Sequence, residues 1–149
     1  MPKALAMFVR MSFVVSLLVG ACALAQPDVA SMYDVSTEGT TATLKAGERG
    51  RVVISIHAKN GAHVSDEAPL RIELSSKESK LEKEKLTLSD SLNRKKEGAT
   101  EYPDPRFEVG FTPTAQGKTT VNAKMTFFIC TEKLCSRQTK TLTFPVEVN

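Results

Sequence analysis

Hydrophobic and polar residues alternate along much of the chain after residue 40, with the period of two that is typical of half-buried β-strands. In "RVVISIH" the side chains of Val52, Ile54 and Ile56 fall on one face. The same alternation recurs in "LRIEL", in "RFEVGF" and in the two long segments "TTVNAKMTFFIC" and "SRQTKTLTFPVEV". Turn-forming stretches such as "KAGERG", "YPDP" and "TPTAQGK" separate these segments. The pattern predicts seven or so short strands in an all-β, antiparallel β-sandwich.

Residues 75–100 depart from this alternation. They are rich in charged residues and helix formers, and their few apolar side chains are Leu81, Leu86, Leu88 and Leu92. We expect a short strand around 84–89 and a mobile charged loop at 90–100, with a helical turn as the alternative. The charge run itself is typical of a solvated face.

The first 25 residues have the features of an export signal. Lys3 and Arg10 precede the apolar run "MSFVVSLLVGACALA", which is shorter than the roughly 20 residues that a membrane span needs. The run ends in a small-x-small site, so we expect cleavage after Ala25. An alternative interpretation is a lipoprotein signal at 1–21, because "LVGAC" resembles a lipobox whose cysteine, Cys22, would carry the lipid. In that case the lipid is the protein's contact with the membrane.

Cleavage after residue 25 would leave about 124 residues, enough for one domain with one core. Residues 26–39 are then expected to form a tether and residues 40–149 the domain. Removing Lys3 and Arg10 brings the net charge from +3 to about +1. So small a charge gives no reason to expect a nucleic-acid partner. The expected location is the periplasm or cell envelope.

Without Cys22, the domain contains one cysteine pair, Cys130 and Cys135, between the last two predicted strands. An even cysteine count in an exported chain favours a disulfide. A hairpin closed by "TEKL" would place the two residues opposite each other, with Cβ atoms about 4.5–5.5 Å apart. Both fall on the polar side of their strands. The sequence therefore predicts an exposed cross-strand disulfide at a hairpin end, of a kind that can be strained.

Three interpretations of this pair stay open. A bridge that closes about six residues contributes only about 2 kcal/mol, and exposed bridges are often the labile, redox-active ones. An inert hairpin disulfide is the second interpretation. The third is a Cu(I) site with Met125 or His63, although neither His57 nor His63 lies near the pair in sequence. We expect no metal and no cofactor.

The segments "GAHV", "PLRIEL", "RFEVGF" and "AQGKTTVNAKMTFFICTEKLCSRQTKTLTFPVEV" resemble the periplasmic N-terminal domain of the transmembrane thiol:disulfide interchange protein, the disulfide bond corrector family. The resemblance covers roughly 40–149. It implies an immunoglobulin-like sandwich in which Cys130 and Cys135 lie on adjacent strands and form the redox-active centre. Two features differ from the family. The stretch "SLNRKKEGA" lacks the aromatic residues of the family's shielding loop, with Tyr102 just beyond it, and "SRQ" follows the second cysteine where family members often have prolines.

The resemblance thus implies a thiol–disulfide interchange module that exchanges electrons with a thioredoxin-like partner through Cys130 and Cys135. Lys133 and Arg137 are close enough in sequence to favour a thiolate. The alternative hypothesis is a secreted β-sandwich that serves as a binding or structural module, with an inert hairpin disulfide. The reduction potential of the pair distinguishes the two hypotheses.

Overall fold

A computed structural model describes residues 28–149, in which ten β-strands form two packed sheets. Two short 3-10 turns, Val29–Met32 and Leu88–Asp90, accompany the strands, and this part of the chain contains no α-helix. The strands, in chain order, are β1 Tyr33–Ser36, β2 Thr43–Leu44, β3 Gly50–Ala58, β4 His63–Val64, β5 Arg71–Ser76, β6 Ser79–Leu81, β7 Lys85–Thr87, β8 Arg106–Pro113, β9 Gly117–Cys130 and β10 Cys135–Val148.

The first sheet has the order β1-β3-β8-β6, and the second has the order β2-β10-β9-β5-β7. The short strand β4 pairs with β9 beyond the end of β5. Neighbouring strands run antiparallel, apart from β2, which is parallel to β10. The predicted immunoglobulin-like β-sandwich is confirmed. Residues 1–25, on which the expected signal and Cys22 fall, lie outside the described residues.

The core fills the space between the two sheets. Alternate residues of β9, from Val121 to Ile129, are at most 1 % exposed, as the period-two pattern predicts. The ring of Phe127 meets the ring of Tyr33 edge-on, with centroids 5.2 Å apart. This contact joins the centre of the second sheet to the edge strand of the first.

Strand β1 lies within the range that the sequence analysis assigned to a tether. It pairs with β3 from Tyr33↔Ala58 to Ser36↔Ser55. Tyr33 is only 5 % exposed and its hydroxyl donates to the Gln138 side chain of β10. Burial of this aromatic side chain stabilises the ordered segment, since fully burying a large apolar side chain contributes about 1.5–3 kcal/mol to the free energy of folding.

Strand β3 is buried on both faces in its middle, although its alternation predicts a half-buried strand. Val53 is 0 % exposed and Ser55 is 5 % exposed. The segment before β2 covers the outer face, because the Thr40 hydroxyl both donates to the Val53 carbonyl and accepts from the Val53 amide. Arg106 reaches Ser55 from the neighbouring strand. This covering comes from elsewhere in the chain, and the apolar Val53 is its one trace in the local pattern.

The charged segment 75–100 contributes two short strands. β7 lies inside the predicted strand range, and Leu86 anchors it in the core at 4 % exposure. β6, which the sequence analysis missed, pairs with β8. The 3-10 turn after β7 is the helical turn offered as the alternative, and the Asp90 carboxylate caps it by accepting from the Thr87 amide.

The loop that follows β7 is held at its base by Ser91. The Ser91 hydroxyl accepts from the backbone amides of Asn93 and Arg106, and Ser91 is 1 % exposed. Leu92 adds a backbone hydrogen bond to the Arg106 carbonyl. The loop thus begins and ends against β8. Among the helical turns of residues 28–149, none is long and apolar enough to cross a membrane.

Candidate functional site

The β9–β10 hairpin carries the cysteine pair at its closed end. Each strand is 14 residues long, and they pair in register from Cys135↔Cys130 to Val148↔Gly117. The turn between them closes through a 2.7 Å hydrogen bond from the Thr131 amide to the Leu134 carbonyl. The Thr131 hydroxyl accepts from the Leu134 and Lys133 amides, as threonine commonly does at the start of a turn.

A disulfide joins Cys130 and Cys135, whose Cα atoms are 4.0 Å apart. Because Thr131 and Leu134 form a hydrogen-bonded pair, the next pair along the antiparallel ladder, the two cysteines, does not exchange backbone hydrogen bonds. Residues at such positions approach each other most closely. The hairpin register therefore brings the two sulfur atoms together without any contribution from the rest of the chain.

The two cysteines differ in exposure, although the sequence predicts that both face solvent. Cys130 is 3 % exposed, whereas Cys135 is exposed. The difference follows from strand order. β9 is an interior strand with β4 on its other side, while β10 at Cys135 lies on the edge of the sheet. The prediction of an exposed bridge is thus correct for Cys135 and wrong for Cys130.

His63 lies directly across β4–β9 from Cys130. Neither histidine lies near the pair in sequence, but strand pairing brings His63 beside it. Local periodicity could not have revealed this, because β4 has only two residues.

The imidazole of His63 stacks on the ring of Tyr102, with centroids 3.9 Å apart and planes inclined by 17°. The ammonium of Lys95 lies 4.1 Å from the centre of the same tyrosine ring. Lys95 also pairs with Asp66 at 3.2 Å, and this hydrogen bond raises the pKa of the Lys95 ammonium. These four residues, His63, Tyr102, Lys95 and Asp66, form what we call the tyrosine stack.

A cavity of about 380 Å³ opens beside the tyrosine stack. Its apolar lining comes from β4, the 3-10 turn after β7 and the prolines that follow Tyr102: Val64, Leu88, Pro103 and Pro105. Arg94, Lys95 and Asp66 supply its charged groups. It has the mixed lining of a small binding pocket.

The other candidate residues differ in how close they lie to the bridge. Lys133 is exposed in the turn, and Arg137 is exposed two residues after Cys135 on the same face. Met125 is 0 % exposed in the core, on the opposite face of β9 from Cys130, so it does not lie beside the pair. His57 pairs with Asp104 at 3.2 Å, in the other sheet. Residues 28–149 hold no cluster of three or more His, Cys, Asp or Glu side chains arranged for a metal ion.

Comparison with family models and with curated proteins finds no match to the chain. Among solved structures, the S-layer protein SbsC domains 4 and 5 are similar at 11 % identity and a TM-score of 0.41, covering 77 % of this chain and 50 % of that one. The chain thus spans half the length of that structure. A conjugative transposon lipoprotein from Bacteroides eggerthii is similar at 7 % identity and a TM-score of 0.44, over 77 % of this chain and 96 % of that one.

Proposed function

We propose that the chain is an exported β-sandwich module of the cell envelope that binds another polypeptide. In this proposal the Cys130–Cys135 bridge has a structural role, which we call the clasp: it holds the two strands of the long hairpin together. One observation carries this proposal: the bridge joins directly opposed residues at the closed end of the longest strand pair. At that position it holds the edge strand β10 against the interior strand β9. Such a bridge needs an oxidising compartment to persist, which agrees with the signal expected at residues 1–25.

The reduction potential of the bridge tests this role. A clasp is expected to have a potential below about −300 mV, the range of structural disulfides. The measurement is equilibration of the purified mature chain in dithiothreitol buffers, read by thiol alkylation and mass. A potential near that of cellular thiol–disulfide carriers, roughly −120 to −270 mV, would count against the clasp and favour the second candidate function.

That second candidate is thiol–disulfide exchange with a thioredoxin-like protein, as the family resemblance implies. The specific observation in its favour is the exposure of Cys135 on an edge strand beside the buried Cys130. The neighbouring tyrosine stack adds an aromatic pair next to the bridge. The short loop is a further argument, since a bridge that closes so few residues contributes little to stability.

In this reaction a thiolate of the reduced partner attacks the Sγ atom of Cys135. A bond forms between the partner sulfur and Cys135, the Cys130–Cys135 bond breaks, and Cys130 leaves as a thiolate that takes up a proton. The second thiol of the partner then attacks the partner sulfur of the mixed disulfide, forms the partner's own disulfide and releases Cys135. Two electrons and two protons pass from the partner dithiol to the pair.

Single-cysteine variants test this order of attack. A Cys130→Ser variant is expected to form a stable mixed disulfide with a thioredoxin-like probe that lacks its resolving cysteine and whose attacking cysteine is activated as a mixed disulfide with thionitrobenzoate. The Cys135 thiolate attacks the probe sulfur and thionitrobenzoate leaves. The matched Cys135→Ser variant is expected to form much less, because its remaining thiol is buried. Equal trapping by both variants would contradict the assignment of Cys135 as the attacked sulfur, and no trapping by either would remove exchange as a candidate.

A further inference from the structure

The outer edge of β10 is open over most of its length. β9 pairs with β10 along the whole strand on one side. On the other side, β2 pairs only with Glu147 and Val148. Among residues 28–149, no strand pairs with the outer edge from Cys135 to Thr143. An edge of this length is a template on which another extended segment can add by backbone hydrogen bonds.

The direction of the backbone groups along this edge follows from the ladder. In an antiparallel pair, alternate residues point their amide and carbonyl groups away from the partner strand. Glu147 does so, since its amide donates to the Ala42 carbonyl at 2.9 Å on the β2 side. Every second residue from Glu147 back to Cys135 therefore also faces outward. One of these groups, the Arg137 carbonyl, already accepts from the Gln138 side-chain amide.

The charges along the edge are of one sign. Between Lys133 and Val146 the chain has three basic residues and no carboxylate. Two of the three, Arg137 and Lys140, are exposed on β10 itself. Neither makes a salt bridge within residues 28–149. The Lys140 ammonium lies over the ring of Tyr33, 5.6 Å from its centroid. An incoming segment would thus meet a positive edge whose cations have no carboxylate partner.

The outer face of the second sheet continues this positive surface. A groove of about 310 Å³ runs beside the edge, and its charged lining comprises Arg71, Lys124, Arg137 and a single carboxylate, Glu73. Arg71 and Lys124 also lack a salt bridge among the described residues. The groove and the edge share Arg137, so side chains of one added strand could reach both.

From these observations we propose that the outer edge of β10 binds an extended, acidic segment of a partner protein by strand addition. This inference rests on the proposed role as a binding module and names the class of its partner. A second copy of the chain is a poorer occupant. Pairing two β10 edges would add the cations of one copy to those of the other along a single seam, with no carboxylate from Cys135 to Thr143 to compensate them, and like charges across a strand pair are destabilising.

The probe is a fluorescein-labelled peptide of about ten residues in which Thr and Glu alternate, long enough for one strand. Its control replaces each Glu by Lys. Fluorescence anisotropy is expected to show binding of the acidic peptide by the oxidised mature chain, weakening as salt rises, and no binding of the basic one. Absence of acidic-peptide binding at low salt, or equal binding of both peptides, would overturn the proposal.

The key variant is Thr141→Pro, which removes an outward amide without touching the ladder to β9. Pro145 already occupies an outward position of β10 while pairing with Thr120 continues, so the strand tolerates proline there. Binding is expected to weaken by about tenfold or more. The matched control Thr141→Val keeps the amide and the branched side chain and is expected to bind within about twofold of wild type.

A charge variant keeps the test informative if Thr141→Pro does not fold, as circular dichroism would show. Arg137→Gln combined with Lys140→Gln is expected to weaken acidic-peptide binding and to flatten its salt dependence. Lys80→Gln, an exposed cation on β6 in the other sheet, is expected to change neither. Equal effects of the two charge variants would overturn the proposal. A dimer seen by sedimentation velocity that Thr141→Pro dissolves would assign the edge to a second copy and would also overturn it.

These outcomes are separate from the test of the clasp. The reduction potential concerns the bridge, and peptide binding concerns the edge. A bridge with a high potential would refute the clasp while leaving peptide binding intact. A chain that binds no acidic peptide could still hold a structural bridge.

Discussion

Removing the disulfide through Cys130→Ala combined with Cys135→Ser is expected to destabilise the domain modestly while leaving it folded. Alanine suits the buried position, since a hydroxyl there would need a hydrogen-bond partner, and serine suits the exposed one. The core lies between the sheets, and neither cysteine belongs to its cluster of packed hydrophobic side chains. The hairpin end is the part that should loosen.

The expected loss of unfolding free energy follows from the number of residues in the loop that the bridge closes. The cysteines are 5 positions apart, so the chain-entropy model gives a loss of about 7 cal/mol/K in the unfolded ensemble, or about 2 kcal/mol at 25 °C. The missing sulfur of Cys130 adds up to about 1 kcal/mol for a small cavity. By the same thermodynamic cycle, folding makes the bridge harder to reduce by about 40 mV relative to the unfolded chain.

Urea unfolding followed by circular dichroism measures this effect. The control is the wild-type chain reduced with dithiothreitol, which opens the loop but keeps both sulfurs, and it should lose about 2 kcal/mol without the cavity contribution. A loss above about 4 kcal/mol, or a variant that does not fold, would mean that the bridge stabilises a larger part of the domain than the end of the hairpin. An unchanged urea midpoint in both the double variant and the reduced wild-type chain would refute the argument from loop-closure entropy.

Three further outcomes are expected. Gly50→Ala should lower the unfolding free energy by about 1–3 kcal/mol, because an added Cβ would lie 2.5 Å from the ring of buried Phe111; an unchanged urea midpoint would contradict this. The hydrogen bond from Lys83 lowers the pKa of the Asp90 carboxyl, so this carboxylate stabilises the fold above its unfolded pKa of about 3.9 and the contribution is lost as pH falls through the lower folded value. The Asp90→Asn variant should therefore lose less unfolding free energy than wild type as the pH falls from about 5 to about 2. Acid unfolding curves that coincide for the two proteins would contradict this expectation. The mature protein should carry no diacylglyceryl mass, because the cleavage site predicts removal of Cys22 with the signal; a lipidated cysteine found by intact-mass measurement would instead support the lipoprotein alternative.

The strands that form the core could be predicted from sequence because their signal is local. In β9 every second residue is apolar, and the same residues are buried between the sheets. A strand with one face on the core must alternate in this way whatever its neighbours are. The β10 register and the cysteine pair followed from the same reasoning, since a hairpin with a short turn allows few alternatives.

The short strands β4 and β6 escaped prediction because neither has a pattern long enough to detect. β4 consists of two residues within a turn-like loop, and only pairing with β9 makes it a strand. That pairing places His63 beside Cys130 and, through the stack on Tyr102, joins three distant segments of the chain. Contacts of this kind depend on how the whole sheet assembles.

The sequence by itself determined that Cys130 and Cys135 face the same side of a hairpin, since the period of two and the turn length decide this. It could not determine that Cys130 is buried and Cys135 exposed. Exposure depends on which strands lie on either side, and both cysteines have similar local surroundings in sequence. Only the tertiary structure gave β9 a neighbour at β4 and left β10 with an open edge, because strand order in a sheet is decided by contacts between segments far apart in the chain.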